Sequence, residues 1–369
     1  TVKTVVSWAL LVLAVILLGW SGARHEVLLS ARAAHHLTAA APLESAPPLV
    51  VFTTVVLGGF RGVLTDVLWL RASCLQDEGK YLELVQLSDW ITKLEPRCSE
   101  IWEFHAWNMA YNVSIMMGDP RDRWRWVRSG IELLRDEGLQ YNPGDPDMYM
   151  QLGWFFYHKM GDFTDTTHAY YKRVWADEME GLMGRGGRPD YVRIEEDTAL
   201  KKKLLENYKL DPAIMREVDR RFGPLDWRVP ETHAVYWAWR GRTAGQVPEA
   251  GGGRPVLSCD RLLIQSLAAL FFHGSLTLNA DENRSMMFAP DPSILRGVLA
   301  AVELATGDYR DEKTIPVGYS NFLKAAVFVL SNDGRPEEAR RVYELFKTNF
   351  PDEAAMHSYE ELVSQMEGR

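Results

Sequence analysis

The stretch Leu323 to Pro351, LKAAVFVLSNDGRPEEARRVYELFKTNFP, constrains the fold of this chain more than any other. Leu323, Ala326, Val327 and Leu330 recur at helical spacing, Gly334 marks a turn, and Ala339, Tyr343 and Phe346 line a second helix. Pro336 and Glu337 suit the opening of that second helix, where a missing N–H costs nothing and an acidic side chain meets the positive end of the dipole. Pro351 closes the unit twelve residues after the small Ala339. Gly334 is expected where two helices come too close for a Cβ, and Ala339 where they cross. Such a unit cannot bury its apolar face alone, so it predicts neighbours of the same kind.

The chain can supply them. Its 369 residues are 47% hydrophobic and 25% charged, enough for one elongated array or two compact domains. A net charge of −9 argues against nucleic acid as a partner, because phosphate binding needs a basic face. The basic groups Lys201 to Lys203 and Arg185 with Arg188 read as solvated surface. Cys74, Cys98 and Cys259 are widely spaced without a CxxC pair, which excludes a disulfide-dense scaffold and the usual zinc modules. Cys74 and Cys98 read as two buried thiols, with a bridge between them as the alternative.

Thr4 to Ala23 is a charge-free run, TVVSWALLVLAVILLGWSGA. At ~1.5 Å per residue it matches a hydrocarbon core of roughly 30 Å. Residues 1–24 are therefore expected to form a single membrane-spanning anchor touching lipid, with Trp8 and Trp20 towards its ends and the bulk of the chain outside the cytoplasm. A cleaved signal peptide ending near Ser21-Gly22-Ala23 is the alternative. Residues 25–48 read as a linker. The apolar run Leu49 to Phe60 is too short to span and reads as a first buried helix, or else as a membrane-surface segment.

The helix–turn–helix spacing returns at Leu68, Ala72, Leu75, Gly79, Leu84, Ile91 and Pro96, with Arg71 a departure. It returns more loosely over 99–143, with Ser99 as candidate N-cap, and over 149–179, where Gly153 should let the paired helices of one unit approach. Residues 49–180 thus form one set of repeats. Residues 181–255 break the pattern: Gly181 to Asp190 is a loop, the charged segment to Gly223 is helical, a helix from Pro230 ends at Gly241 as a glycine C-cap, and Gly245 to Pro255 is a flexible loop or crossover. Residues 256–369 resume with an apolar helix, RLLIQSLAALFF, another over Asp291 to Ala305, the unit at 318–351 and a capping helix at Glu353 to Met366. No strand pattern is evident, so an all-α chain with ten to thirteen helices after residue 49 is expected.

These segments resemble the tetratricopeptide-repeat family, whose unit is 34 residues long. The resemblance implies a tetratricopeptide-like helical solenoid, and a scaffold that gathers protein partners within a membrane or cell-envelope complex. FRGVLTDVLWLRA, FHAWNMAYN, IELLRDEGLQYNP and neighbouring stretches of roughly residues 55–240 also resemble bacterial repeat-containing proteins, and that resemblance brings no activity.

Aromatic residues crowd between Trp102 and Tyr171, including Trp107, Trp124, Trp126, Trp154, Phe155, Phe156, Tyr157 and Tyr170. Most should pack helix pairs. Trp124 and Trp126 stand two apart and cannot share a helix face, so at least one should be exposed. Trp124, Trp126 and Trp154, together with Trp8 and Trp20, are the candidate partner-binding residues. The alternative is an aromatic groove for glycan or peptide. His105, His158, His168 and His233 lack the spacing of a metal site, and Asp219, Asp226 and Glu231 lack an acid–base partner at a recognisable distance. Gly184-Arg185-Gly186-Gly187 lacks the GK[ST] ending of a phosphate loop. No catalytic, cofactor or metal residue is expected.

Overall fold

A computed structural model describes residues 60–246, 255–279 and 285–364, together with Leu13, Trp20, Arg24 and Val27. Trp8, the linker apart from Val27, the run Leu49 to Gly59 and residues 247–254 of the expected crossover lie outside the described residues, as does most of the expected anchor. Among the described residues, which are mostly helical, no helix is long and apolar enough to cross a membrane.

The first hairpin joins α1 (Phe60–Asp77) to α2 (Tyr81–Leu94). Gly79 ends α1 with φ +69°, and the Gly79 and Lys80 N–H groups donate back to the Gln76 and Leu75 carbonyls. That bonding is a Schellman cap, and the positive φ is why glycine stands there. Ala72 and Leu75 meet Leu84, Ile91 and Ile101 in a small cluster separate from the main core. Arg71, the departure in the pattern, faces solvent 3.8 Å from Glu78. All three cysteines are free thiols; Cys74 is exposed and Cys98 half-buried, so the expected buried pair is not formed.

Three long helices follow, α3 over 99–116, α4 over 120–141 and α5 over 146–161, each widened by one π-helical stretch: Asn108–Val113, Leu133–Gly138 and Phe155–Gly161. Asp-Pro pairs set the starts of α4, α5 and the later helix Pro212–Phe222. Asp119, Asp145 and Asp211 each accept the N–H two residues on, and the following proline takes the first helical position. Ser99 is not a cap. It is the first residue of α3, and its hydroxyl donates instead to Asp145 at 2.7 Å.

After α6 (His168–Met183) the charged segment divides into α7 (Tyr191–Glu196), α8 (Thr198–Asn207) and α9 (Pro212–Phe222), because Asp197 and Asp211 start new helices. The next helix, α10 (Pro230–Gln246), is buried almost all round, with Ala234 to Trp239 inside the main core. It packs on α5, α9 and α11 (Leu257–His273). Two glycines permit this. A Cβ on Gly153 would lie 3.2 Å from the Ala234 carbonyl oxygen, and one on Gly241 would lie 2.8 Å from Tyr149 Cβ. Gly153 therefore opens α5 to α10 rather than to its own neighbour α6, and Gly241 is a mid-helix contact rather than a cap. Arg242, buried, binds both Asp260 oxygens at 2.5 and 2.6 Å and Asp308 at 2.5 Å, tying α10 to α11 and to α12 (Leu295–Asp308).

A short antiparallel hairpin, β1 (Ser275–Leu278) with β2 (Met286–Ala289), pairs Ser275 with Ala289 and Leu278 with Met286. It departs from the all-α expectation: strands of four residues following an apolar helix are too short to show an alternating pattern. The chain continues with α13 (Thr314–Asn332), α14 (Pro336–Asn349), a single turn Pro351–Ala354, and α15 (Tyr359–Ser364) packed on α13. Leu323, Ala326, Val327, Leu330, Ala339 and Phe346 are buried as expected. Gly334 has φ +74°, and a Cβ there would meet no atom within 4 Å, so backbone conformation and not close approach selects glycine.

Candidate functional site

The aromatic cluster separates into a core part and a surface part. Trp124 is 6% exposed and packs on Tyr171 and Trp175, with ring centroids 5.7 and 6.4 Å away. It is a core residue and not a partner contact. The core continues through Trp175 and Phe156 to His233, whose Nε2 lies 2.9 Å from the Trp227 carbonyl oxygen. Burial lowers the His233 pKa to about 4. Trp126 is half-buried at the edge of a surface depression of about 400 Å³ that Met117, Asp122, Arg125 and Ser129 also line. Trp20 is exposed.

Trp154 belongs to a different surface. The π-helical stretches of α3 and α5 face each other, and they carry Tyr111 and His158. The Tyr111 hydroxyl is 3.1 Å from His158 Nδ1. On either side of that bond the rings stack nearly parallel, Trp107 on Tyr111 at 4.0 Å and 13°, and Trp154 on His158 at 4.9 Å and 9°. Tyr157 extends the row from Trp154 at 5.6 Å. Trp107 is exposed, while Tyr111, Trp154, Tyr157 and His158 are half-buried, so the row is partly open to solvent.

Beneath the row lies a buried ion pair. Lys159 Nζ is 2.6 Å from Asp165 Oδ2 and 4.9 Å from the Tyr111 ring centroid. Asp165 also accepts from the Thr167 N–H and the Tyr171 hydroxyl, and Arg123 lies 3.6 Å away. Burial pushes the Asp165 pKa up, but its bonds from Lys159 and Thr167 and the nearby cations outweigh burial and hold it below the ordinary value. Burial pulls Lys159 down, and the same carboxylate opposes that. Burial raises the Tyr111 hydroxyl strongly, so it stays protonated. The pair fixes the loop after α5 to the helix carrying the rings, and losing one partner would strand the other charge.

Of the other carboxylates singled out in the sequence, Asp219 and Asp226 hold neighbouring segments together, whereas Glu231 Oε2 is buried without a hydrogen-bond partner among the described residues. Asp219 accepts from Tyr191, from the Leu225 N–H and from Trp227, and Asp226 pairs with Arg228 at 2.6 Å. Glu231 Oε1 lies 3.7 Å from His273 Nε2. Among the described residues no group of His, Cys, Asp and Glu could hold a metal ion. The sequence pattern gives no sign of Trp107, His158, Lys159 and Asp165 as a set. His158 and Lys159 lie in the π-helical stretch of α5, Trp107 in the preceding turn of α3 and Asp165 in the loop after α5, and helical periodicity does not report such a meeting.

Comparison of the chain with protein-family models, curated proteins and solved structures gives no match.

Proposed function

We propose that this chain is a membrane-tethered, tetratricopeptide-like scaffold subunit that gathers protein partners in a membrane or cell-envelope complex, its contact face being the row Trp107, Tyr111, Trp154 and His158. The observation that carries the reading is that this row is half-exposed yet already ordered, by ring stacking above and by the Lys159–Asp165 pair below. Side chains ordered before binding lose little entropy on contact, which is what makes aromatic anchors effective. Two hairpins of the same spacing, α1–α2 and α13–α14, support the repeat character. The charge-free run Thr4 to Ala23 supports the tether.

The test is purification of the full chain from membranes in mild detergent. Trp107→Ala and Trp154→Ala should each weaken recovery of a stoichiometric partner by at least ~2 kcal/mol, roughly 30-fold in affinity, without changing the circular dichroism. Unchanged partner recovery from both variants overturns the contact face. The two near-parallel stacks also favour a second reading, a glycan- or peptide-binding module, since sugar rings and peptide groups lie flat on such platforms. Retention on polysaccharide without a protein partner would carry that reading instead.

A further inference from the structure

Helix α1 turns apolar side chains to both sides. Leu68, Trp69, Ala72 and Leu75 pack inward on α2. On the opposite side Val63 is 61% exposed, Val67 57% and Leu70 68%, and Cys74 is exposed in line with them. These four follow the spacing i, i+4, i+7, i+11, which places them in one straight stripe roughly 16 Å long. Single exposed apolar residues are ordinary, whereas a stripe of this length without a cover marks a contact surface. Asp66 and Arg71 stand on its two flanks.

We propose that this stripe lies in the lipid–water interface of a bilayer, with α1 parallel to the membrane plane; this inference rests on the membrane-tether reading. Two charge-free apolar runs precede α1 in the sequence, Thr4 to Ala23 and Leu49 to Phe60, and only Arg61 and Gly62 separate the second from the stripe. The stripe is also one helix wide. On α2 the exposed apolar residues Leu82 and Trp90 stand eight positions apart with the exposed polar Gln86 between them, so no second continuous stripe runs along that helix. That 4-3-4 spacing is equally the seam of a two-helix pair, so a partner helix is the competing occupant; the charge-free runs that precede α1 in the sequence and the charged flanks of the stripe favour lipid.

Cys74 makes the inference testable at a native side chain. The full chain with Cys98→Ser and Cys259→Ala is spin-labelled at Cys74 and reconstituted in vesicles of phosphatidylcholine and phosphatidylglycerol. Accessibility is read with oxygen, which concentrates in lipid, and with a water-soluble nickel chelate. Cys74 should be more accessible to oxygen than to nickel, with the reverse order at an Arg125→Cys control, where the native side chain is 78% exposed. A label at Leu13→Cys reports the tether separately. Nickel access at Cys74 with oxygen access at residue 13 overturns the interfacial helix and leaves the tether standing. Nickel access at both overturns the two together. Protection of Cys74 from both reagents shows a protein cover, a second copy or another chain, and also overturns the proposal. Should the cysteine substitutions unfold the protein, the wild-type chain in the same vesicles answers the same question. Modification of Cys74, read by peptide mass spectrometry, should be slower with a charged maleimide than with an uncharged, lipid-soluble one, and equal rates overturn the proposal.

Discussion

The two hairpins α1–α2 and α13–α14 are built to one plan and end in different surroundings. Aligning Gly79 with Gly334 pairs Leu68 with Leu323, Ala72 with Val327, Leu75 with Leu330, Leu84 with Ala339, Ile91 with Phe346 and Pro96 with Pro351. Their turns share the same two backbone bonds: Lys80 to Leu75 and Arg335 to Leu330, Gly79 to Gln76 and Gly334 to Ser331. The outer faces differ. Val67, bare in the first hairpin, corresponds to Phe322, which is 7% exposed against Phe271 and Phe272. The spacing of inward residues therefore sets a hairpin, whereas the residues of its outer face decide what it joins. The C-terminal hairpin is part of the main core, and the N-terminal one rests on its own small cluster.

The sharpest break of this comparison is a matched pair of truncations. Phe346→Ala should cost about 3–5 kcal/mol and lower the main thermal transition, because its cavity opens in the continuous core. Ile91→Ala, at the corresponding position, should cost about 2–5 kcal/mol locally. Its loss should show up as faster hydrogen exchange over residues 60–96 with the main transition unmoved. Equal shifts of the main transition would mean that the two hairpins fold as one unit with the core.

Acid should separate the hairpins next. The α2–α3 junction holds His105, which is 3% exposed, and neither ring nitrogen has a hydrogen-bond partner among the described residues. Burial lowers its pKa to about 4, with nearby Asp89 opposing and Lys93 adding to the shift. A histidine depressed on folding contributes stability above its unfolded value that is lost as pH falls through the folded value. The loss should run from pH ~6.5 to ~4 and reach roughly 3 kcal/mol. Glu103 on the same helix, raised to about 8 by burial and by Asp145, Asp147 and Glu100, titrates in the opposite sense and loses its contribution as pH rises. Exchange measured in Glu103→Gln should therefore show residues 60–96 opening between pH ~6.5 and ~4, before α13 and α14. Simultaneous opening would show that His105 does not control the junction.

Smaller still is the effect of the turn glycines, and it bears on what the sequence could reveal. Gly334 was legible as a turn but for the wrong reason, since nothing crowds it and only its positive φ excludes other residues. Gly79→Ala and Gly334→Ala should each cost about 1–2 kcal/mol, with Asn in place of Ala recovering part of it. A much larger cost at Gly334 would restore the close-approach explanation. The hairpins could be read because glycine, proline and the 3.6-residue period are local signals. The contacts of α10 could not, because Gly153 and Gly241 act through residues far along the chain, Ala234 and Tyr149, in an order no period encodes. The aromatic row was half legible: Trp154 was singled out from its type, but beneath it Lys159 stands in a π-helical stretch and Asp165 in the loop that follows, and neither placement leaves a periodic signal.

The smallest expected effect completes the comparison from its outer side. Val67→Ser and Leu70→Ser remove apolar atoms that water already reaches in the protein chain alone, so little burial is lost on folding. Surface substitutions of this kind usually change stability by no more than about 0.5 kcal/mol. Phe322→Ser, at the position matching Val67, removes a ring packed against Phe271 and Phe272 and should cost about 3–5 kcal/mol, close to the range for a buried phenylalanine truncated to alanine. Thermal unfolding of the three variants in one detergent measures the contrast. If Val67→Ser or Leu70→Ser lowered the transition as far as Phe322→Ser, the stripe on α1 would be covered by protein within the folded chain, and the two hairpins would differ in sequence without differing in kind.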